Sequence, residues 1–216
     1  MSSQVKHIRA VVFDCDGVLM NSVSEKISAF REWVRTFYPR HEEEFIRYHL
    51  ASYGNSRTVQ IKHFYHEILR VPIDEGSFEK MLGHLGHLIE KRMKDVRLNE
   101  GASETISRLA EKGVKIFVVS GAPQEQLEFH MHRLEIALKT DGIFGAPTSK
   151  ESGLRLIMES YGFTPDDMIF VGDATADALA SSYFDIRFVY FPSVVKMESE
   201  KIWRKIKKLK DLELYV

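Results

Sequence analysis

The chain is most constrained by a short apolar segment that ends in two aspartates. Residues 11–13 read Val-Val-Phe and are followed by Asp14, Cys15, Asp16 and Gly17. A short run of β-branched and aromatic residues predicts a buried strand, and in open α/β sheets ligands bind just beyond the carboxyl ends of the strands. Two carboxylates placed there repel each other unless a cation lies between them. A hard divalent cation such as Mg2+ is the expected partner, which leaves one carboxylate free to act as a nucleophile.

The composition excludes several classes of protein. The 216 residues are 44% hydrophobic, and 30 basic residues balance 31 acidic ones to a net charge of −1. This balance gives no reason to expect a nucleic-acid partner. No apolar run approaches the roughly 20 residues that span a bilayer, so we expect no membrane partner. The single cysteine rules out an internal disulfide and favours a cytoplasmic protein, as a monomer or small homo-oligomer.

The order of apolar patterns predicts an α/β fold with an insertion. After residue 98 short apolar strands alternate with helical patterns, which predicts a doubly wound, Rossmann-like parallel sheet. Residues 21–96 instead repeat apolar positions at helical spacing. We therefore predict an α/β core domain of residues 1–20 and 97–216 and an all-helical cap domain of residues 21–96. The basic stretch 196–210 is expected to form a terminal helix with a solvated face.

Polar groups also stand at the ends of later strands and at the start of one helix. They are Ser120, Lys150, Asp173 and Asp177. Because parallel strands end at the same edge of a sheet, we expect these groups to converge with the first two aspartates. Mg2+ and Lys150 can balance the charge of a phosphoryl group, while Ser120 and the amides of Gly121 and Ala122 can hold its oxygens. The constellation predicts a phosphoryl-transfer site.

The motifs together resemble those of the haloacid dehalogenase-like hydrolase superfamily. Its members carry DxDG, a Ser or Thr, a Lys and GDxxxD, which stand here at residues 14–17, Ser120, Lys150 and residues 172–177. All four occur in order and on predicted strand or helix ends. The helical insertion after the first motif resembles the cap of the branch that includes phosphoglycolate phosphatase and β-phosphoglucomutase.

The resemblance implies a role for each core residue. Asp14 would be the nucleophile that forms an aspartyl-phosphate, and it would also bind Mg2+. Asp16 would protonate the leaving oxygen, then help to activate water, and would bind Mg2+ through its backbone carbonyl. Ser120 would hold a phosphoryl oxygen, and Lys150 would steady the nucleophile and the phosphoryl group.

The remaining implied roles concern the metal and the cap. Asp173 would bind Mg2+, and Asp177 would support Lys150 or the waters of the metal. The segment Gly54-Asn55-Ser56-Arg57 resembles a cap loop that faces the active site. Arg57 would then bind a carboxylate or phosphate of the substrate, although a surface arginine is the alternative. Asn21 departs from the aspartate that many relatives carry at this position, which affects the cap hinge and not the chemistry.

The leading hypothesis is a Mg2+-dependent phosphatase of a small phosphorylated metabolite. A sugar phosphomutase uses the same motifs and differs only in its cap. A phosphonate-cleaving relative would need a Schiff-base lysine, for which Lys26 and Lys62 are candidates. A phospho-accepting signalling domain is the alternative that is not an enzyme. A thiol-phosphatase is disfavoured because Asn21 stands where a phosphate-gripping arginine is needed, so Cys15 is expected to be a buried structural thiol.

Overall fold

The computed structural model describes residues 7–197 and 201–216 and contains a six-stranded parallel sheet. The strands in chain order are β1 (Ala10–Phe13), β2 (Lys115–Pro123), β3 (Gly142–Ala146), β4 (Met168–Gly172), β5 (Arg187–Tyr190) and β6 (Ile202–Lys205). Their order across the sheet is β3-β2-β1-β4-β5-β6. Connections therefore wind outward in both directions from β1, which confirms the predicted Rossmann-like α/β class.

Strand β1 lies near the centre of the sheet, and all four of its residues are buried. Phe13 pairs with Val118 of β2 and with Val171 of β4. The side chains of Val11 and Phe13 belong to one hydrophobic cluster, and those of Ala10 and Val12 to the other. Burial on both faces explains why the strand is a continuous apolar run. It also places the residues after β1 between the ends of β2 and β4.

Helices cover both faces of the sheet. They are α5 (Ala102–Glu111), α6 (Gln124–Arg133), α7 (Lys150–Tyr161) and α8 (Thr175–Tyr183). Apolar residues of α5 and α6 pack in the cluster of Val11 and Phe13, whereas those of α7 and α8 pack in the cluster of Ala10 and Val12. Within residues 7–197 and 201–216, no helix is both long enough and apolar enough to span a membrane.

The segment between β1 and α5 folds into helices around an aromatic core. These helices are α1 (Val23–Phe37), α2 (Glu42–Ala51), α3 (Arg57–His63) and α4 (Glu75–Met93). The fully buried Trp33 meets Phe64 edge-on, with ring centroids 5.5 Å apart. The chain leaves and re-enters the sheet domain through two connections. These connections run side by side, because Met20 of one and Leu98 of the other form an antiparallel β-bridge. The domain boundaries at residues 20/21 and 96/97 stay a prediction.

The expectation of a helix over residues 196–210 is wrong for the part that the structure describes; residues 198–200 lie outside it. Ile202–Lys205 forms the edge strand β6, parallel to β5, and Leu209–Leu214 forms a 3-10 helix. Leu209 and Leu212 are buried. The unpaired edge of β5 offers a full row of backbone partners, which outweighs helical periodicity in the sequence. Basic residues on an edge strand also discourage further strand addition.

Candidate active site

The carboxyl ends of β1, β2 and β4 bring the predicted polar groups to one edge of the sheet. Asp14 directly follows β1, and its amide donates to the carbonyl of Val171 on β4 at 2.8 Å. Asp14, Ser120, Lys150 and Asp173 are all buried. The placement follows from the parallel register, because neighbouring strands that end level deliver their next residues to the same place.

Lys150 links two of the carboxylates. Its Nζ lies 3.0 Å from Oδ1 of Asp14 and also donates to Oδ1 of Asp177. Burial by itself lowers the pKa of Lys150, but the charges of Asp14 and Asp177 raise it above its ordinary value. A cation in the first turn of a helix opposes the helix dipole. These two carboxylates are the anionic partners that hold it there.

Asp177 has a second contact that fixes its position. Its other carboxylate oxygen accepts the backbone N–H of Ala174 at 3.0 Å, at the start of α8. The residue therefore caps a helix and anchors Lys150 at once. Asp177 thus lies beside Lys150, which is one of the two positions that the resemblance implied for it.

Three carboxylates form a cluster that lacks enough positive charge. Oxygens of Asp14, Asp173 and Asp177 lie within 4.8 Å of one another. Both carboxylate oxygens of Asp173 are buried, and neither accepts a hydrogen bond of normal geometry within the described residues. Carboxylate oxygens at this spacing, with unused lone pairs, suit a hard divalent cation. The donor set therefore fits Mg2+.

Burial and the charges of neighbouring carboxylates raise the pKa values of two aspartates in this cluster. Burial, with the charges of Asp177 and Asp16, raises the pKa of Asp14 to about 7 against the opposing effect of Lys150. Burial and the charges of Asp14 and Asp177 raise the pKa of Asp173 to about 8, and the Ser193 hydroxyl offsets only part of this shift. Without a further cation, the cluster resists carrying all its negative charges.

Gly17 shapes the floor of the cluster. Its φ is +85°, and a Cβ there would lie 2.1 Å from Oδ2 of Asp173. A side chain at this position would strain the backbone and displace a carboxylate that belongs to the cluster. Gly17 of the first motif is thus required because Asp173 of the fourth motif lies against it.

The carboxylate of Asp16 is turned away from the cluster. Its Oδ1 accepts the Ser22 hydroxyl at 2.6 Å, and its Oδ2 pairs with the Lys26 ammonium. Burial would raise the pKa of Asp16, but the charge and hydrogen bond of Lys26 and the hydrogen bond of Ser22 together lower it. Two aspartates separated by one residue thus have opposite shifts, which is the pattern expected of groups with different roles in acid–base chemistry.

Ser120 sits at the end of the buried part of β2. The backbone N–H of Ala122 donates to its Oγ at 3.2 Å, which leaves the hydroxyl proton for an external acceptor. Gly121 lies against the cap loop, since a Cβ there would lie 2.9 Å from the carbonyl oxygen of Gly54. A Cβ on Gly54 would in turn lie 2.8 Å from that of Ala174. The predicted loop therefore rests directly on the strand ends.

A cavity that opens to solvent lies between the helical segment and the strand ends. Asp14, Asp16, Ser120 and Lys150 form its floor, and Arg57 contributes to its wall.

Arg57 reaches from α3 to the core. Its guanidinium donates to Oε1 of Gln126 on α6 at 2.5 Å. Gly86 of α4 makes room for it, because a Cβ on Gly86 would lie 2.6 Å from Nη1 of Arg57. Burial lowers the pKa of the guanidinium, against the opposing charge of Glu90. A half-buried cation bound mainly to an amide is well suited to an anionic ligand group.

Two other predictions can be compared with the structure. Cys15 is buried, as expected, and its thiol contacts Sδ of Met20 at 3.3 Å. Burial and the neighbouring aspartate charges raise its pKa well above the ordinary value. Of the two Schiff-base candidates, Lys26 lines the cavity, while Lys62 is exposed and lies over the Phe78 ring.

Sequence reasoning missed the role of Lys26 as the partner of Asp16. The signal was present, because Lys26 stands in the first turn or so of α1, where a cation opposes the helix dipole. The same argument holds for Lys150, in the first turn of α7. Gln126 of α6 was also missed, and no local pattern in the sequence marks it.

Comparison with known proteins identifies the same family that the sequence motifs resemble. The sequence profile of haloacid dehalogenase-like hydrolases matches residues 8–185. Phosphoglycolate phosphatase 1 of Pseudomonas aeruginosa is 24% identical over 190 residues, which cover 83% of this chain and 67% of that protein.

Solved structures share the fold over almost the whole chain. A predicted phosphoglycolate phosphatase from Haemophilus somnus superposes with a TM-score of 0.75 at 14% identity and covers 99% of both chains. CbbY from Rhodobacter sphaeroides, in complex with phosphate, has a TM-score of 0.74 at 17% identity and covers 95% of this chain and 96% of its own. With its profile matched over most of the sequence and its motifs gathered at one sheet edge, the chain belongs to the haloacid dehalogenase-like hydrolase family.

Proposed function

We propose that this protein is a Mg2+-dependent phosphatase that hydrolyses a small phosphorylated metabolite through an aspartyl-phosphate. The observation that carries the proposal is the buried contact of Lys150 with Asp14, in a cluster whose three carboxylates outnumber that one ammonium. Relatives named phosphoglycolate phosphatase and a neighbour solved with phosphate support the same reaction class.

Asp14 is the nucleophile in this proposal. Its Oδ1 is held by Lys150, so the other oxygen is available to attack phosphorus. Lys150 stays protonated, and it offsets negative charge on the transferring phosphoryl group. Ser120 donates its free hydroxyl proton to a phosphoryl oxygen, and the amide of Gly121 is a second donor. The amide of Ala122 acts indirectly, because it holds the Ser120 oxygen.

Asp16 is the acid and base. In the first step the leaving oxygen takes a proton from Asp16 as the bond between phosphorus and that oxygen breaks. In the second step the Asp16 carboxylate takes a proton from water, whose oxygen attacks the aspartyl-phosphate and releases inorganic phosphate. Ser22 and Lys26 hold the side chain in place and favour its ionised form, which suits the second step.

Asp14 and Asp173 would hold Mg2+ with their carboxylates, and Asp16 would hold it with its backbone carbonyl. When bound, the cation neutralises the crowded carboxylates and polarises the phosphoryl oxygens. The unpartnered oxygens of Asp173 are the feature of this chain that fits such a ligand. Asp177 acts through Lys150, which it anchors.

The remaining parts of the proposal concern the substrate and the setting. Contact between the cap loop and the strand ends excludes bulk water from the site, which protects the acyl phosphate from uncontrolled hydrolysis. Arg57 binds an anionic part of the substrate away from the reacting phosphate. The partner is a small metabolite, and a single cysteine, Cys15, which can form no internal disulfide, fits a cytoplasmic location.

The test is Asp14→Asn, with p-nitrophenyl phosphate and Mg2+ as assay components. We expect release of inorganic phosphate by the wild type and a loss of at least about 10³-fold in the variant, since an amide is a far poorer nucleophile. Circular dichroism and the melting temperature of the variant should match a folded protein. Glu159→Gln, on the surface of α7, is the matched control and should retain full activity. Wild-type-like turnover in the Asp14 variant would reject the proposal.

A further inference from the structure

Three polar side chains of α6 form a stripe that contacts the cap, the helical segment α1–α4. Gln126, His130 and Arg133 are spaced at i, i+4 and i+7, so they lie on one face of the helix. Gln126 accepts a hydrogen bond from Arg57 of α3, and Arg133 donates to the carbonyl of Val96, just after α4, at 2.9 Å. The stripe therefore joins the core to the cap at both of its ends, with an imidazole in the middle.

The imidazole of His130 approaches a carboxylate of the cap. Its Nε2 lies 3.4 Å from Oε2 of Glu90 on α4, and both residues line the cavity. The side chain of His130 is 7% exposed and that of Glu90 is 34% exposed. The pair spans the boundary between α4 and α6, so a movement of α4 away from α6 would separate the two side chains and admit water to the ring.

The closed position of the cap does not suit a protonated His130. An imidazolium has two N–H donors. Glu90 lies within ion-pair distance of Nε2, but Nδ1 is buried and has no hydrogen-bond acceptor within residues 7–197 and 201–216. Protonation would therefore bury a charged N–H without a partner, which is costly. A neutral ring with its proton on Nε2 avoids this cost, because Nδ1 then carries no proton.

The groups around His130 also favour the neutral ring. Burial is the largest influence and lowers the pKa of His130. The carboxylate of Glu90 on α4 raises this pKa, Arg133 on α6 lowers it, and the charge of Asp16 after β1 raises it. Arg57 of α3 acts indirectly, since its charge interacts with that of Glu90. The pKa of His130 lies below its ordinary value when all these influences act together.

We propose that His130 is a pH-sensitive switch for the cap: closure requires a neutral ring, and uptake of a proton favours an open position. Opening removes α4 from the ring, and water can then accept hydrogen bonds from both N–H groups. The open form therefore binds a proton more readily than the closed form, and acidification shifts the population toward it. The shift begins as the pH falls through 6.5, the ordinary pKa of histidine. One proton changes the ratio of open to closed by at most about tenfold per pH unit.

A simple ion pair predicts the opposite response. If a protonated His130 were held by Glu90, acidification would strengthen the contact and close the cap. The buried Nδ1 and the nearby charge of Arg133 oppose this alternative. The direction of the pH response therefore decides between the two.

The position of the cap can be measured by pulsed electron paramagnetic resonance between two nitroxide labels. Because Cys15 is buried, labels can be attached to cysteines introduced at exposed positions, Glu79→Cys on α4 and Ser160→Cys on α7. We expect one main distance at pH 8. A second distance should gain population by up to about tenfold between pH 6.5 and 5.5. No substrate is needed, so the result does not depend on the proposed phosphatase function.

Three variants assign the response. His130→Gln keeps a polar side chain but cannot take up a proton, so its distances should be the same at pH 8 and 5.5. His132→Gln changes an exposed histidine of the same helix and should keep the response of the wild type. Glu90→Gln removes the carboxylate that raises the His130 pKa in the closed form, so acid should open this variant further.

Each contrary result overturns the inference. A second population that shrinks on acidification would show that an ion pair holds the cap closed. Distances that do not change with pH in the wild type, or that still change in His130→Gln, would exclude His130 as the switch. NMR titration of the His130 ring in the wild type needs no variant that folds, and a pKa at or above 6.5 would also refute the proposal. Circular dichroism at both pH values checks that the labelled chain stays folded.

Discussion

Two glycines on α4 allow the position of Arg57 to be tested with a matched pair of substitutions. Gly86 is buried, and a Cβ there would lie 2.6 Å from Nη1 of Arg57. Gly83 is exposed on the same helix, and a Cβ there would meet nothing within 4 Å. Gly86→Ala therefore displaces the guanidinium from Gln126, whereas Gly83→Ala leaves it in place.

The two substitutions should differ in stability. Alanine in a helix interior is favoured over glycine by about 0.5–1 kcal/mol, and Gly83→Ala should gain this amount. Gly86→Ala gains the same but loses the hydrogen bond of Arg57 to Gln126, which costs about 1.5–3 kcal/mol for a charged donor. The difference corresponds to about 3–12 °C in melting temperature for a chain of this size. We expect Gly83→Ala to melt higher than the wild type and Gly86→Ala at or below it.

Kinetics separate the role of Arg57 from stability. With a substrate that carries a second anionic group, such as phosphoglycolate, Gly86→Ala should raise KM by about tenfold, because the cation that binds that group has moved. With p-nitrophenyl phosphate the KM of this variant should change much less. Equal KM values for phosphoglycolate in the two glycine variants would refute the reasoning, since Arg57 would then not contact the substrate.

Three further predictions follow from the pKa shifts. Lys26→Met removes the largest influence that lowers the Asp16 pKa against burial, so this pKa rises and Asp16 stays protonated to higher pH; the alkaline limb of the kcat/KM–pH profile, which reports the acid of the first step, should move up. His49 has a pKa of about 4 when folded and 6.5 as its ordinary value, so the unfolded chain binds more protons in this window. The free energy of unfolding should fall by about 3 kcal/mol from this residue as the pH drops from 6.5 to 4. The Asp173 pKa is raised to about 8, so the folded chain without metal loses stability as the pH rises toward 8. Asp173→Asn should therefore melt higher than the metal-free wild type at pH 8, and added Mg2+ should no longer raise its melting temperature.

Each of these predictions has a control. Lys26→Arg keeps the charge and should keep the pH profile; a profile that does not move in Lys26→Met would show that Asp16 is not the titrating group. Urea unfolding of His49→Gln should lack the loss of stability between pH 6.5 and 4, while exposed His66→Gln should retain it. Asp95→Asn, at an exposed acid, should leave the Mg2+ response intact. A response that persists in Asp173→Asn would argue against Asp173 as a metal ligand.

The core of the site was predictable because each residue is tied to a strand end. Asp14 and Asp173 directly follow buried apolar runs, and Ser120 ends a third. In a parallel sheet, the position of such a residue is set by a few neighbours in sequence, so local patterns are sufficient. The same reasoning explains why the Rossmann-like fold class followed from the order of patterns alone.

The C-terminal segment was mispredicted because its structure depends on a distant strand. Ile202, Ile206 and Leu209 fit helical spacing, but Ile202 pairs with the sheet beside Phe188 of β5. The edge of β5 cannot be read from residues after 200. Tertiary pairing therefore overrode a local pattern, as it commonly does for short segments.

The wall of the cavity was beyond prediction for a similar reason. Nδ1 of His49 is hydrogen-bonded to Gln60. Arg57 is positioned by its contacts with Gly86 and Gln126. These partners come from other helices, and nothing in the sequence pairs them. Glycine is unfavourable in a helix interior, yet Gly83 and Gly86 both lie within α4. In the structure, Gly86 has a clear purpose, since it leaves space for a guanidinium.

The contact between Gly54 and Gly121 has a consequence for how such a protein can change its substrate. There the backbone of the cap loop touches the backbone at the end of β2, with no side chain between them. The separation of the cap loop from the strand ends is therefore set by backbone contact. A larger residue at either glycine would force the two backbone segments apart. Side chains farther along the cavity wall can vary without altering the separation between the cap loop and the strand ends. We therefore expect substitutions at these glycines to affect closure, and substitutions along the wall to affect selectivity.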